Sequence, residues 1–258
     1  MTSISFDRAA GYYDATRGMP EPLATHGIAA ILQHLQPRPG ALLLEVGTGT
    51  GRISLPLLER GANLMGCDLS SKMLARQRDK NSAVRVAQAD AARLPFAARQ
   101  FDGLLTIHVL HLMSEWRQAL REFRRVLKPG AAYVNSWNAH GLLDVDARVR
   151  DAWRGMVEAH GADWRRPGIQ TRDELLNEAR AMGAQVQEVA AVDFAESLTA
   201  GEVLEAIASR VYSDTWDVPT DVFEATIREL RAWTAANYED LAAPLPVERR
   251  FILDVIRF

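Results

Sequence analysis

Three glycines alternate with other residues in LEVGTGTGR, residues 44–52, directly after an apolar run. This spacing indicates a tight backbone turn that another group can approach closely. A P-loop for nucleotide phosphates needs a Lys-Ser or Lys-Thr pair after its glycines, and none follows here. A dinucleotide loop needs a third glycine at position 52, where the chain has Arg52. Both phosphate-binding interpretations therefore lack a required residue.

Two acidic residues flank this loop and favour a different ligand. Glu45 lies at the end of the preceding apolar run, and Asp68 ends the next apolar run about twenty residues further on. Glu45 would repel a pyrophosphate, whereas an acid at the position of Asp68 can accept hydrogen bonds from both ribose hydroxyls. A ligand with a ribose and a cationic amino-acid tail suits both acids. S-adenosylmethionine has both groups.

His108 and His111 follow the fourth apolar run and are the candidate catalytic side chains. Two interpretations stay open: a general base that accepts a proton near neutral pH, or structural histidines bonded to nearby carbonyls. Cys67 is the only cysteine, which excludes a disulfide framework within the chain and two-thiol redox chemistry. We expect Cys67 to be a buried small apolar residue and predict no metal site.

The elements that position these residues alternate between strand-like and helix-like patterns. Alternation of this kind predicts an α/β fold, a doubly wound, Rossmann-like, seven-stranded, mostly parallel sheet with helices on both faces and a helical lid. The predicted strands are 41–46, 62–68, 83–90, 101–110, 131–137, AQVQEVAAVDFAES (184–197) and, as an edge strand, 249–258.

Capping residues mark the ends of several predicted helices. Ser70 or Ser71 would cap the helix after the second strand, and Ser114 would cap a helix over 114–128. Thr171 and Glu174 have the spacing of a capping box. Further amphipathic or helix-like segments are 22–36, the RISLPLLERG segment up to Gly61, GLLDVDARVRDAWRGMVEAHG, 200–212 and 220–238.

Composition sets limits on partners and location. The 258-residue chain has a formal net charge of −3, with Arg interspersed among Asp and Glu, so no basic field for nucleic acid is expected. The N-terminal segment has no signal-peptide pattern, and no apolar run is long enough to span a bilayer. We therefore expect a cytoplasmic enzyme with a small-molecule substrate. The sequence does not indicate an oligomeric state.

Five segments resemble, in order and spacing, the successive motifs of class I S-adenosylmethionine-dependent methyltransferases. They are LLLEVGTGTGR, CDLS, QADAARLPF, FDGLLTIHVLHLM and LKPGAAYV, within residues 41–137. The resemblance is to the small-molecule branch, similar to ubiquinone/menaquinone-type enzymes with a "type 11" domain. It implies methyl transfer from S-adenosylmethionine to an O, N or C nucleophile of a small molecule, with S-adenosylhomocysteine as the product.

The resemblance also implies how the chain is organised. A single methyltransferase domain would span 1–258, with an N-terminal helical cap over 1–40 and a cofactor-binding core over 41–138. Residues 139–170 and 199–247 would be helical insertions on the substrate side.

The family's cofactor-binding roles are carried over to matching positions of the glycine loop and second strand. The resemblance implies that Glu45 and the backbone of Gly47, Thr48 and Gly49 hold the methionine part of the cofactor. Asp68 would bind the ribose hydroxyls.

Further roles follow from the motifs on either side. Leu69 and Met73 would lie beside the adenine, while Asp90 would accept a hydrogen bond from the adenine amino group and Ala91 would supply a backbone N–H. The backbone of Ile107 and His108 would line the methyl-donor pocket.

The N-terminal AAGYYDATR resembles the segment that closes over the cofactor in this branch. The resemblance implies that Tyr12 or Tyr13 covers the cofactor and that Arg17 pairs with its carboxylate.

Three other functions compete with small-molecule methyl transfer. Nucleic-acid amino-methyltransferases carry a D/N-P-P-Y/F loop after the fourth strand, where this chain has TIHVLH, and the balanced charge disfavours RNA or DNA. Arg52 disfavours a nicotinamide oxidoreductase. A catalytically silent protein that binds S-adenosylmethionine as a sensor or partner-binding module stays open, because no catalytic motif stands out.

Overall fold

The computed structural model describes residues 3–35, 38–140 and 144–258, which form alternating strands and helices. The strands are β1 Leu42–Val46, β2 Asn63–Asp68, β3 Arg85–Gln88, β4 Phe101–Ile107, β5 Leu127–His140, β6 Gln185–Leu198 and β7 Leu245–Arg257. The α-helices are α1 Tyr13–Thr16, α2 Ile28–Leu35, α3 Ser54–Glu59, α4 Ser71–Lys80, α5 Trp116–Val126, α6 Val145–Ala159, α7 Arg172–Ala181, α8 Ala200–Ala208 and α9 Thr220–Asn237. The predicted 22–36 helix is interrupted, because a π-helical turn, Leu23–Gly27, precedes α2.

The strands form one sheet in the order β3-β2-β1-β4-β5-β7-β6. β1 pairs in parallel with β2 and β4, β2 with β3, and β4 with β5. The predicted α/β fold with a seven-stranded, mostly parallel sheet and flanking helices is confirmed. The chain order reverses between β1 and β4, and in such sheets ligands bind beyond the carboxyl ends of the strands at this reversal.

Helices cover both faces of the central sheet. Leu43 and Leu44 are consecutive in β1 and so point to opposite faces, yet neither side chain is exposed. Leu44 packs with Phe123 of α5, and Leu43 packs in a separate cluster with Ile31 of α2. Burial on both faces explains why β1 is a continuous apolar run, as parallel strands usually are.

The prediction that residues 249–258 form an edge strand is wrong. β7 lies between β5 and β6, and the edges of the sheet are β3 and β6. The apolar–polar alternation suggested a solvent-facing side, but residues 251–256 are all buried. Asp254 is fully buried in this stretch and forms an ion pair with Arg172 of α7. Asp254 is therefore a polar residue because it pairs with Arg172 inside the protein, not because it faces solvent.

The predicted helix caps agree only in part with the structure. The Ser70 side chain accepts a hydrogen bond from Met73 N and caps α4, and Thr171 accepts one from Glu174 N. The prediction for Ser114 is wrong: α5 begins at Trp116 without a side-chain cap, and the Ser114 hydroxyl contacts that of Ser3 at 3.2 Å. This long-range partner has no local signal in the sequence.

The chain divides into two compact units. Unit 1 consists of the described residues of Met1–Trp137, Pro167–Val192 and Phe251–Phe258, and unit 2 of those of Asn138–Arg166 and Asp193–Arg250. Unit 2 has an apolar core of its own around Trp153, whose indole donates a hydrogen bond to Thr226 Oγ1 at 3.2 Å. None of the described helices combines the length and apolar character needed to cross a membrane.

Candidate functional site

The glycine loop turns directly after β1 by means of three residues in the left-handed region. The φ angles of Gly47, Gly49 and Gly51 are +77°, +56° and +90°. Residues with a Cβ atom rarely adopt such angles. The amides of Gly47 and Thr48 donate hydrogen bonds to the carbonyl of Cys67 at 2.8 and 3.1 Å. The loop is thus fixed to the end of β2 through its backbone.

Close packing adds a second requirement for glycine at position 47. An ideal Cβ on Gly47 would lie 2.6 Å from Cγ2 of Val109, which is well inside van der Waals contact. Val109 is β-branched and has few alternative rotamers. Both the backbone conformation and the lack of space therefore exclude a side chain at position 47.

A buried polar network lies around Glu45. Thr48 Oγ1 is 3.0 Å from both Glu45 Oε2 and Ser54 Oγ, and Gln77 Nε2 donates to Ser54 Oγ at 2.7 Å. Burial raises the pKa of Glu45 to about 8, although hydrogen bonds from Thr48 and Ser54 oppose the shift. The Glu45 carboxyl is therefore mostly protonated at neutral pH.

Asp68 joins three elements through its carboxylate. Its Oδ2 accepts a hydrogen bond from Gly49 N at 2.8 Å, and its Oδ1 accepts one from Ser70 N at 2.8 Å. Burial raises the pKa of Asp68, while the hydrogen bonds from Ser70 and Gly49 lower it. Each carboxylate oxygen has a second lone pair, so the group retains capacity to accept from a ligand.

An open pocket lies beside the glycine loop within unit 1. Its volume is about 700 Å³, including the part that is open to solvent. Polar groups are concentrated at Asp68, Asp90 and His108, and the remaining lining is largely apolar or backbone. The lining residues are Ser3, Ile4, Phe6, Tyr13, Val46, Gly47, Gly49, Asp68, Leu69, Met73, Ala89, Asp90, Ala91, Ile107, His108, Val109, Leu112 and Met113.

Nine of the predicted site residues line this one pocket. They are Gly47, Gly49, Asp68, Leu69, Met73, Asp90, Ala91, Ile107 and His108. The parallel strands explain this convergence, because β1, β2 and β4 all end at the same edge of the sheet.

The other predicted site residues do not line the pocket. Glu45 and Thr48 are buried in the network beside the loop, and His111 lies in a 3₁₀ turn after β4. Tyr13 lines the pocket instead of Tyr12, and Arg17 donates a hydrogen bond to the carbonyl of Thr16.

Three pocket-lining residues at the start of the N-terminal segment were not among the predicted site residues. Ser3, Ile4 and Phe6 all line the pocket, and Phe6 packs edge-to-face on Tyr13 with ring centroids 5.9 Å apart. The aromatic residue close to YYD in the sequence was the available signal.

Three polar contacts hold this N-terminal segment in place. Asp7 Oδ1 accepts a hydrogen bond from the Ser70 hydroxyl at 2.5 Å, and Asp14 accepts one from the Thr50 hydroxyl at 2.6 Å. Lys80 forms an ion pair with Asp14 at 2.7 Å. Residues 3–16 are thereby linked to the glycine loop and to both ends of α4.

His108 has a backbone conformation that is uncommon for a residue other than glycine. Its φ is +54°, directly where β4 ends, and it lines the pocket. Residues other than glycine that adopt this region cluster at functional sites, where the surrounding structure compensates for the strain. Among the described residues, no three His, Cys, Asp or Glu side chains are placed to hold a metal ion.

Comparisons with known proteins agree with this fold. Residues 44–134 match the model of a methyltransferase domain family. The malonyl-[acyl-carrier protein] O-methyltransferase of Enterobacter lignolyticus is 29% identical over 207 residues, covering 80% of this chain and 78% of the relative. The ubiquinone/menaquinone biosynthesis C-methyltransferase UbiE of Cereibacter sphaeroides is 38% identical over 109 residues, covering 39% of this chain and 44% of the relative.

The fold also matches a solved structure. The crystal structure of the YcgJ protein from Bacillus subtilis superimposes with a TM-score of 0.59 and 16% identity, covering 90% of this chain and 99% of that one. At this identity the match supports the fold alone.

The fold, the bare glycine loop and the acid at the end of β2 define an S-adenosylmethionine-binding α/β protein of the methyltransferase class. With the matches above, the resemblance to class I S-adenosylmethionine-dependent methyltransferases found in the sequence is confirmed: residues 44–134 match a methyltransferase domain, and the two relatives are an O-methyltransferase and a C-methyltransferase.

Proposed function

We propose that this protein transfers the methyl group of S-adenosylmethionine to a nucleophilic O, N or C atom of a small-molecule acceptor. The observation that carries the proposal is the convergence of the Gly47 and Gly49 backbone with Asp68 on one pocket. Asp68 is buried and accepts hydrogen bonds from two backbone amides. Its carboxylate retains lone pairs that can accept hydrogen bonds from the two hydroxyls of a ribose.

The pocket fits the rest of the cofactor as well. Asp90 Oδ1 accepts a hydrogen bond from Ala92 N at 2.9 Å, which leaves Oδ2 for an adenine amino group. Leu69 and Met73 supply apolar contacts for the ring, and the Ala91 amide would donate to it. We assign the amino-acid end to the backbone of Gly47, Thr48 and Gly49.

Three residues that do not line the pocket are still assigned roles around the cofactor. Glu45 and Arg17 would act at its amino-acid end, and Tyr12 would cover the bound cofactor. A protonated Glu45 next to the loop would ionise when a cationic ammonium group approaches, because an opposite charge favours the charged form. For the cover, the position of Tyr13 in the pocket favours it over Tyr12.

The bound cofactor supplies a methyl group already activated by its sulfonium. The chain's own contribution would be to align the acceptor with this methyl and to exclude water. We propose that Ile107 and His108 line the side from which the acceptor approaches. The His108 imidazole is the candidate base for an acceptor that must lose a proton, with His111 as second candidate.

We further propose that the acceptor itself is recognised by the helical segments 139–170 and 199–247. The relatives named above act on different acceptors, through oxygen in one case and carbon in the other. The first of them is named for an acyl-carrier protein, so both free and carrier-bound acceptors belong in the test.

The direct test is a screen with methyl-labelled S-adenosylmethionine against carboxylic acids, phenols, hydroquinones and amines, each free and, for acids, also on a carrier protein. We expect label transfer to one class by the wild-type protein. The matched controls are Asp68→Asn, which would weaken cofactor binding, and His108→Asn, which tolerates positive φ but removes the imidazole. Cofactor binding without transfer to any acceptor would instead favour the silent-sensor function.

A further inference from the structure

Ser70 links the carboxylate of Asp68 to the N-terminal segment, residues 3–16. Its amide donates a hydrogen bond to Asp68 Oδ1 at 2.8 Å, and its hydroxyl donates one to Asp7 Oδ1 at 2.5 Å. The same hydroxyl accepts a hydrogen bond from Met73 N at 3.1 Å. A hydroxyl has a single proton, and Ser70 is fully buried, so the orientation of this hydroxyl depends on the acceptor that Asp7 provides.

A second link runs through the glycine loop. Gly49 N donates a hydrogen bond to Asp68 Oδ2 at 2.8 Å, and the hydroxyl of the next residue, Thr50, donates one to Asp14 Oδ1 at 2.6 Å. Lys80 Nζ donates to the carbonyl of Thr50 at 2.9 Å and pairs with Asp14 Oδ2 at 2.7 Å. Both amides that hold the Asp68 carboxylate are therefore connected, directly or through the next residue, to an aspartate of the N-terminal segment.

The two aspartates of the segment are ionised at neutral pH. The hydrogen bond from Ser70 lowers the pKa of Asp7, and desolvation opposes this shift only in part. Burial raises the pKa of Asp14, but the contacts with Lys80 and Thr50 outweigh it and the pKa is lowered. Hydrogen bonds to an ionised acceptor are roughly twice as strong as those between neutral groups. Both links are therefore of the strong, charge-assisted kind.

The segment that these links hold is also a wall of the pocket. Ile4, Phe6 and Tyr13 line the same pocket as Asp68. The Ile4 amide donates a hydrogen bond to the carbonyl of Leu112 at 3.0 Å, which fixes the beginning of the segment beside the turn after β4. A ligand bound by Asp68 in this pocket would therefore contact the docked segment at the same time.

We propose that Asp7 and Asp14 are positioning residues that couple docking of the N-terminal segment to the orientation of Asp68 toward the cofactor. This assignment rests on the proposed function, in which Asp68 accepts hydrogen bonds from the ribose hydroxyls. The cofactor is held tightly only while the segment is docked, and its dissociation requires the segment to detach. Neither Asp7 nor Asp14 lines the pocket, so both act through the hydroxyls that they hold.

The first experiment changes the protein and the ligand in turn. Calorimetry measures the binding of S-adenosylhomocysteine and of its 2′,3′-dideoxy analogue to the full wild-type chain and to Asp7→Ala. Loss of a charged hydrogen bond should weaken binding of S-adenosylhomocysteine about tenfold or more. The dideoxy analogue has no hydroxyl for Asp68, so its binding should weaken several times less. Equal weakening for both ligands would overturn the proposal, because Asp7 would then not act through Asp68.

Two further variants test the nature of the link to Ser70. Asp7→Asn keeps an acceptor oxygen for the Ser70 hydroxyl, so it should recover part of the affinity that Asp7→Ala loses. Asp79→Ala is the matched control, because Asp79 is an exposed carboxylate on α4, and it should bind both ligands as the wild type does. The proposal is refuted if Asp7→Asn binds as weakly as Asp7→Ala, or if Asp79→Ala causes the same loss.

The rate of ligand release tests the second link. Labelled S-adenosylhomocysteine is chased from the protein with excess unlabelled ligand. Asp14→Asn keeps an acceptor for the Thr50 hydroxyl but removes the ion pair with Lys80, which is partly exposed and therefore sensitive to salt. Release should be up to about fivefold faster from this variant, and added salt should accelerate release more from the wild type. Equal rates for the two proteins at low salt would contradict a role of this link in cofactor exchange.

The outcomes separate the coupling from the proposed function. If Asp68→Ala weakens binding of S-adenosylhomocysteine while Asp7→Ala and Asp14→Asn leave both affinity and release unchanged, the cofactor pocket stands and the coupling is refuted. Absence of binding to the wild type would overturn both.

Discussion

The glycine loop gives a prediction whose size follows from two separate contacts. In Gly47→Ala the new Cβ meets Val109 at 2.6 Å and must also adopt φ of +77°. The conformation costs about 1–2 kcal/mol, and forcing a methyl into occupied space costs about 1–3 kcal/mol more. Because alanine makes the unfolded chain less flexible than glycine does, the substitution also stabilises the folded state by about 0.4–1 kcal/mol. We therefore expect a loss of roughly 2–4 kcal/mol in the free energy of unfolding.

Gly61→Ala is the matched control for this change. Gly61 has φ of +82° at the end of α3, but an added Cβ has no neighbour within 4 Å. Only the conformational cost applies, so the net loss should be about 1 kcal/mol or less. The difference between the two variants isolates the contact with Val109.

Urea unfolding of Gly47→Ala, Val109→Ala, the double variant and Gly61→Ala completes the test. Since Val109→Ala removes the clashing methyls, the double variant should be more stable than the sum of the single changes predicts, by about 1–3 kcal/mol. A coupling energy near zero, or equal losses in Gly47→Ala and Gly61→Ala, would refute the account of this loop.

Three further predictions concern buried or strained groups. Because burial raises the pKa of Glu45 to about 8, the folded state keeps a proton that the unfolded state loses near pH 4.5, so stability should fall as the pH rises between these values. Urea midpoints from pH 5 to 9 should show this fall in the wild type, and Glu45→Gln should flatten it; equal slopes would contradict it. His108→Gly should raise the free energy of unfolding by up to about 1 kcal/mol relative to His108→Ala, since glycine relieves positive φ, and equal stabilities would count against strain at this position. Cys67 is fully buried and burial raises its thiol pKa, so a thiol reagent should label it only at the rate of unfolding; fast labelling of the folded protein would oppose this.

Local patterns in the sequence were sufficient for the central part of the fold. The continuous apolar run of β1 and the capping serine of α4 are each determined by neighbours in the chain, and both match the structure. The positions of Gly47 and Asp68 in one pocket followed from parallel strands that end at the same edge. This placement follows from a general rule for α/β sheets, that ligands bind beyond the carboxyl ends of the parallel strands.

Long-range contacts account for what the sequence did not predict. The burial of Asp254 depends on Arg172, and the contact of Ile4 N with the carbonyl of Leu112 at 3.0 Å brings the N-terminal segment to the pocket. The side-chain alternation around Asp254 therefore suggested a strand at the edge of the sheet, whereas β7 lies between β5 and β6. The buried Asp214 carboxylate pairs with Arg150 and Arg154, which are about sixty residues away in the chain, so this pairing is visible only after folding.

Calorimetric titration of the purified protein with S-adenosylmethionine tests directly whether this pocket binds the cofactor through Asp68. We expect saturable binding of one molecule per chain, and Asp68→Ala should weaken it by at least about tenfold, because a charged hydrogen bond to a ribose hydroxyl contributes about 1.5–3 kcal/mol. Asp102→Ala serves as control, since this carboxylate pairs with Arg38 and Lys128 and does not line the pocket. Absence of binding, or equal affinities for wild type and Asp68→Ala, would contradict the assignment of this pocket.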